Sequence, residues 1–259
     1  MADMRNLSLS AALVLTLAAC ATASDAPVVA QDASLGPASN TLPGYLKAGD
    51  VNGEAFLPTP PAPNSAQGRA ERTVYEETRS LEGSERWKIA IQDNDLWQGG
   101  ALRRFSCALG KDLGEAATPA TWRMMHRIEA DVRTVGAPAK EHFGRLRPLI
   151  GNDRPICVPR EDWMKTNMSY PSGHSMTVWA WALILTEAAP ASADTLLRVG
   201  REGGDSRVVC GVHFPSDVEA GRTVASGMVA RMHADPGFLT DLARVKAEVA
   251  AAKPLRCPG

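Results

Sequence analysis

From Gln67 onward the apolar positions recur at helical spacing, and the strict alternation of a half-buried strand is scarce. The stretches Ala70–Leu81, Ser84–Leu96, Pro119–Val135, Ser172–Ala188, Ser192–Gly203, Ser216–His233 and Leu239–Ala252 read as helices. Gly99-Gly100, Gly136-Ala137-Pro138, Gly151-Asn152 and Pro190 punctuate them, and no internal repeat is present. The expected fold is all-α: a single globular helical domain over residues 67–254, not a coiled coil. Upstream, residues 24–66 are rich in Ala, Pro, Ser, Asp and Gly. Within them the prolines of Leu57–Pro63 remove backbone donors and fix φ, so an extended Pro-rich arm is expected, mobile at its start.

The first residues add a destination. Leu7–Ala19 is an uncharged apolar run behind Arg5. It is shorter than the roughly 20 residues that a bilayer-spanning helix needs, and it reads as the core of a signal peptide over residues 1–23. Ala21-Thr22-Ala23 offers small residues for ordinary cleavage, whereas Leu17-Ala18-Ala19-Cys20 is similar to a bacterial lipobox. The second reading ends the signal before Cys20 and leaves a lipid anchor there. No later stretch is long and apolar enough to span; the longest, Met176–Leu185, ends just before Glu187. The expected location is periplasmic, soluble or lipid-anchored. Export also explains the cysteines. Cys107, Cys157, Cys210 and Cys257 form an even set for an oxidising compartment, with at least one disulfide expected and three pairings open. Their spacing fits no zinc pattern. A formal net charge of −1 gives no global field for nucleic acid, so any anion specificity must come from a local cluster of bases.

Such a cluster is written in three places: Lys140 to Arg147-Pro148, Pro171-Ser172-Gly173-His174, and Ser206-Arg207 followed by His213 and Asp217. A phosphate monoester dianion calls for several cationic donors, and the guanidinium fork meets two of its oxygens at once. Lys140, Arg147 and Arg207 supply three cations. Ser172 and Gly173 read as a helix start, whose free N–H groups and dipole favour phosphate. Two histidines then divide the work. His213 is the expected nucleophile, forming a covalent intermediate that water hydrolyses. Asp217 sits one helical turn on, placed to hold its other ring nitrogen. His174 is the expected general acid, protonating the leaving oxygen.

This arrangement resembles the phosphatidic acid phosphatase type 2 (PAP2) and vanadium haloperoxidase superfamily, most closely its class A bacterial non-specific acid phosphatases. The three-part signature is complete at Lys140, Arg147, Pro148, Pro171–His174, Ser206, Arg207, His213 and Asp217, and the likeness runs from about Tyr45 to about Lys246. The resemblance implies an all-helical fold, no required metal or cofactor, broad activity on small phosphomonoesters, and self-association into a homo-oligomer. It also implies the same roles for His174 and His213. Met168, Ser175 and Phe214 depart from the branch, where Gly, Thr and often Trp are usual, which bears on substrate preference more than on reaction type. Cys107 and Cys257 are not features of the branch.

Outside the constellation, His142 is a candidate for the pocket rim, Tyr170 either shapes the substrate mouth or packs under the loop, and His126 and His233 are assigned to packing or surface. Glu129 and Asp131 read as an ordinary surface pair, with orienting the site's cations as the alternative, and Trp179 and Trp181 read as core. The alternatives are a vanadate-dependent haloperoxidase, which needs a longer chain, and a lipid phosphate phosphatase, which needs spanning helices. A non-catalytic phosphate-binding lipoprotein has no use for two titrating histidines.

Overall fold

A computed structural model describes residues 42–97 and 100–257. The expected signal peptide, both readings of its end and the first part of the arm lie outside these residues. The helices are α1 (Ala66–Arg79), α2 (Glu85–Asn94), α3 (Ala101–Leu109), α4 (Pro119–Phe143), α5 (Trp163–Thr166), α6 (Gly173–Ala188), α7 (Ala193–Val209), α8 (Pro215–Met232) and α9 (Pro236–Ala251). Short 3-10 turns lie at Gly53–Ala55 and Pro190–Ser192. No strand occurs among the described residues, so the fold is all-α.

Helix α6 is the axis of the fold. Its sequence is apolar on every face, as suits a helix enclosed by others. α4, α7, α8 and α9 pack around it, and Met176, Ala180, Trp181, Ile184 and Leu185 are fully buried. Glycines let two of these neighbours come close. A Cβ on Gly200 would stand 2.5 Å from the Ala182 Cβ, and one on Gly221 would stand 2.6 Å from the Ser172 carbonyl oxygen. The second approach sets α8 directly against the start of α6. Ser65, Ser84, Ser172 and Asp235 each accept a first-turn N–H, and the caps at Ser65 and Asp235 start α1 and α9 earlier than the expected Ala70 and Leu239.

Several boundaries differ from expectation. α4 continues through Gly136-Ala137-Pro138 to Phe143. A proline inside a helix costs about 3 kcal/mol, but Ile128, Val132, Val135 and Ala139 carry one buried face through that point. α7 runs on past Gly203 to Val209, because Gly203 and Gly204 face Val178 and Ser175 of α6. α3 and the four-residue α5 were not anticipated from the sequence. Gly99-Gly100 hides the start of α3, where Ala101 and Leu102 donate to the Asp95 and Leu96 carbonyls.

The described part of the arm is packed down. Its Tyr45 and Leu46 N–H groups donate to Asp131 at 2.9 and 2.7 Å, and the Tyr45 ring meets Phe238 edge-on. Glu129 and Asp131 are therefore not a surface pair. Both are buried; Glu129 accepts from Arg133 at 2.8 Å, and Asp131 anchors the arm. Burial pushes the Asp131 carboxyl up to about 6, against the pull of those two N–H bonds. Trp181 is core as expected, whereas Trp179 is half-buried with its Nε1 donating to Ser226. The disulfides pair Cys107 with Cys257 and Cys157 with Cys210. No helix of the described residues is long and apolar enough to cross a membrane.

Candidate active site

The three sequence clusters converge at one end of α6. Lys140 comes from the last turn of α4, and Arg147 from the segment that follows it. Ser172 caps α6, Gly173 opens it, and His174 lies in its first turn. Arg207 closes α7 and Asp217 opens α8. His213 stands in the turn between α7 and α8. That turn has a local cause. Gly211 adopts φ +79°, a left-handed conformation that ends α7, and the N–H groups of Val212 and His213 fold back onto the Arg207 carbonyl at 3.2 and 3.3 Å. The Cys157–Cys210 disulfide and the Arg79 guanidinium, which donates to the Val209 carbonyl at 2.6 Å, hold the same turn from outside. α8 is tied to α6 where the Ser172 N–H donates to the Asp217 carbonyl at 2.9 Å.

The bonds of His213 define its tautomer. Arg147 Nη1 lies 3.0 Å from Nε2, and a guanidinium can only donate, so Nε2 carries a lone pair. Nδ1 then carries the proton. It lies 3.2 Å from Ser169 Oγ and 3.5 Å from Asp217 Oδ2. The Ser169 hydroxyl in turn donates to Asp217 Oδ2 at 2.5 Å. Asp217 is fully buried, and also accepts the Phe214 N–H at 2.7 Å and Arg145 Nη1 at 2.6 Å. Nδ1–H is therefore handed to the carboxylate through a hydroxyl as well as across space.

The cations are buried and held by neutral acceptors. Arg147 donates to the Asn167 and Val212 carbonyls and to Asn167 Oδ1. Arg207 donates to Asn94 Oδ1 at 2.7 Å, and its Nε has no hydrogen-bond partner. Lys140 Nζ donates to the Met168 carbonyl at 2.5 Å. Burial lowers Arg147 to about 10, and burial with Arg147 beside it lowers Arg207 to about 9. A neighbouring anion would relieve both. His213 is held well below the ordinary imidazole range by burial, then by Arg147, Lys140 and Arg207. His174 is also held down, by burial, Arg207 and His213, but the Asn94 and Asp93 carbonyls at the C-terminal end of α2 pull the other way. Its Nε2 donates to the Asn94 carbonyl at 3.0 Å.

Comparison with known proteins gives the family. Residues 131–239, a span that includes every residue of the constellation, match the PAP2 superfamily. The non-specific acid phosphatase of Providencia stuartii is 38% identical over 212 residues, 81% of this chain and 86% of that protein. The chain belongs to the PAP2 superfamily, among the non-specific acid phosphatases. The acid phosphatase of Zymomonas mobilis is 36% identical over 200 residues, 76% of this chain and 75% of that one. Among solved structures, a transmembrane PAP2-type phosphatidylglycerolphosphate phosphatase from Bacillus subtilis aligns with a TM-score of 0.46 at 18% identity, covering 69% of this chain and 89% of that one.

Around this site in the PAP2 chain, His126, His233 and Ser175 take the places the sequence suggested, while His142 does not line a pocket rim. Of the two readings of Tyr170, packing under the loop holds: it is buried, edge-on against Phe143, with its hydroxyl on the Pro58 carbonyl. His142 lies exposed, beside Glu54. Ser175 sits behind the site, donating to the Val218 carbonyl at 2.7 Å. His126 is buried and stacked on Trp97, while His233 packs against Phe238 and pairs with Glu187. The sequence reading missed Ser169, Arg145, Glu71 and Asn94. Ser169 and Arg145 sit next to or inside the quoted motifs, which was the one available signal.

Proposed function

We propose that this PAP2 acid phosphatase hydrolyses a broad range of phosphate monoesters through a covalent phosphohistidine on His213, with His174 as general acid. One observation carries the reading: a buried imidazole whose Nε2 lone pair is turned into a cluster of cations that neutral acceptors hold. Lys140, Arg147, Arg207 and the N–H groups at the Ser172–Gly173 helix start would receive the phosphoryl oxygens. The Arg147 N–H now on Nε2 passes to one of them as phosphorus approaches.

Nε2 then bonds to phosphorus while the ester P–O bond breaks. The departing oxygen takes a proton from His174, whose ring the arriving dianion has made easier to charge. Positive charge that develops on His213 is met at Nδ1 by Ser169 and Asp217. Neutral His174 next takes a proton from water as that water's oxygen attacks phosphorus, which frees His213 and inorganic phosphate. The cationic cradle stabilises the phosphoryl charge in both steps. Two disulfides support an oxidising location, and the periplasm fits them.

The test is hydrolysis of p-nitrophenyl phosphate by residues 24–259 in EDTA, beside His213→Ala. Activity that persists in EDTA and vanishes in the variant supports the reading. Activity that survives His213→Ala, or that EDTA abolishes, contradicts it.

A further inference from the structure

Arg145 lies inside the first signature stretch, yet its bonds go to the support behind the nucleophile. One arm of its fork is 2.6 Å from Asp217 Oδ1 and 2.7 Å from Ser216 Oγ, and the other is 2.6 Å from Glu71 Oε2. Glu71 reaches from α1, and its second oxygen accepts the Ser216 N–H at 2.7 Å. The guanidinium lies over the Phe214 ring at 4.3 Å. Together these contacts grip residues 214–216, between His213 and Asp217. Glu71 is nine-tenths or more buried and Asp217 wholly so, so the row of charges is shielded from water.

We infer that Arg145, backed by Glu71, is a positioning residue that sets the charge and orientation of the Asp217 carboxylate, and through it the protonation of His213. The inference rests on the reading of His213 as nucleophile. With Oδ1 taken by Arg145, the carboxylate is fixed so that Oδ2 faces Ser169 and His213. Arg145 also draws on the carboxylate charge, so Asp217 accepts the Nδ1 proton without pulling the ring into the imidazolium form. The charged and polar groups that bear on His213, directly or through Asp217, are Lys140 from α4, Arg145 and Arg147 from the segment after it, and Arg207 from α7. His174 of α6, Ser169 ahead of α6, Asp217 of α8 and Glu71 of α1 complete the set. Only Arg145 and Glu71 act on His213 solely through another side chain.

The two partners bias His213 in opposite directions, and this gives the test. Arg145→Met leaves Asp217 its full charge, favours the imidazolium and moves the acidic limb of the kcat/KM profile up by about one pH unit. Glu71→Gln leaves Arg145 stronger on Asp217 and moves the same limb down. Arg145→Lys restores part of the wild-type position. Inhibition by inorganic phosphate keeps its wild-type constant above the limb, because neither residue reaches the cradle. A merely structural role would lower the melting temperature and kcat while both limbs stayed in place, and that result overturns the inference. If Arg145→Met does not fold, a Glu71→Gln limb that fails to move down overturns it alone. Trapping of phosphohistidine on the wild type with labelled substrate separates the two readings. Its absence sinks the nucleophile assignment; its presence with unmoved limbs sinks only the role of Arg145.

Discussion

Ser169→Ala probes the link between His213 and the Asp217 carboxylate most sharply. The hydroxyl lies 2.5 Å from Asp217 Oδ2 and 3.2 Å from His213 Nδ1, in a fully buried position. Its proton belongs to the carboxylate, so its lone pair faces Nδ1–H. Alanine removes that bridge and leaves His213 with Asp217 at 3.5 Å, beyond a good hydrogen bond. The Ser169 N–H, bonded to the Arg145 carbonyl at 2.7 Å, is untouched, so the segment ahead of α6 keeps its path. Asp217 retains Arg145 and the Phe214 N–H. A hydrogen bond to a charged group contributes about 1.5–3 kcal/mol, and about 1.4 kcal/mol is a factor of ten in rate. The expected result is a fall in kcat of roughly 10- to 100-fold with KM little changed. Steady-state assay on p-nitrophenyl phosphate, well below the melting temperature, reads it. A kcat within about twofold of wild type would show that Asp217 acts directly across the gap, and would refute the relay.

Other consequences follow from burial and from the crosslinks. His126 is stacked on Trp97, and burial lowers it to about 4. The unfolded chain, with an ordinary imidazole near 6.5, binds the proton first, so stability is complete above that pH and declines as pH falls toward the folded value. Over that window the decline due to this ring is about 3 kcal/mol. His126→Phe keeps an aromatic ring on Trp97 and should flatten the fall in melting temperature between neutral pH and pH 4, read by calorimetry; an unchanged slope contradicts the assignment. The Cys157–Cys210 disulfide closes a loop of 53 residues, for which the chain-entropy estimate is about 4 kcal/mol. Its removal should lower both stability and kcat, since Cys210 belongs to the turn that presents His213. Loss of Cys107–Cys257 should lower stability alone, and a matching kcat loss there would contradict this division.

The site residues were legible because the reaction needs particular side chains, and short spacings bring them to helix ends. Lys140, Ser172, Arg207 and Asp217 each lie in the terminal turn or cap of a helix, where capping and turn residues leave strong local signals. Glu71 and Asn94 of the supporting residues left none. Glu71 meets Arg145 across 74 positions and Asn94 meets Arg207 across 113, contacts set by helix packing and not by any period in the chain. The expected end of α4 at Val135 reflects the local penalties of Gly136 and Pro138, while the buried face that outweighs them is made by other helices. Asp131 looked like half of a surface pair because its partners, the Tyr45 and Leu46 N–H groups, come from a segment more than 80 positions away.

The central claim is a covalent bond between phosphorus and His213 Nε2. Enzyme mixed briefly with phosphorus-labelled p-nitrophenyl phosphate, quenched in alkali and digested, should give one labelled peptide containing His213. The label should survive base, leave in mild acid, and be absent from His213→Ala. Label on another residue, or turnover with no labelled protein while product forms in a burst, would contradict it.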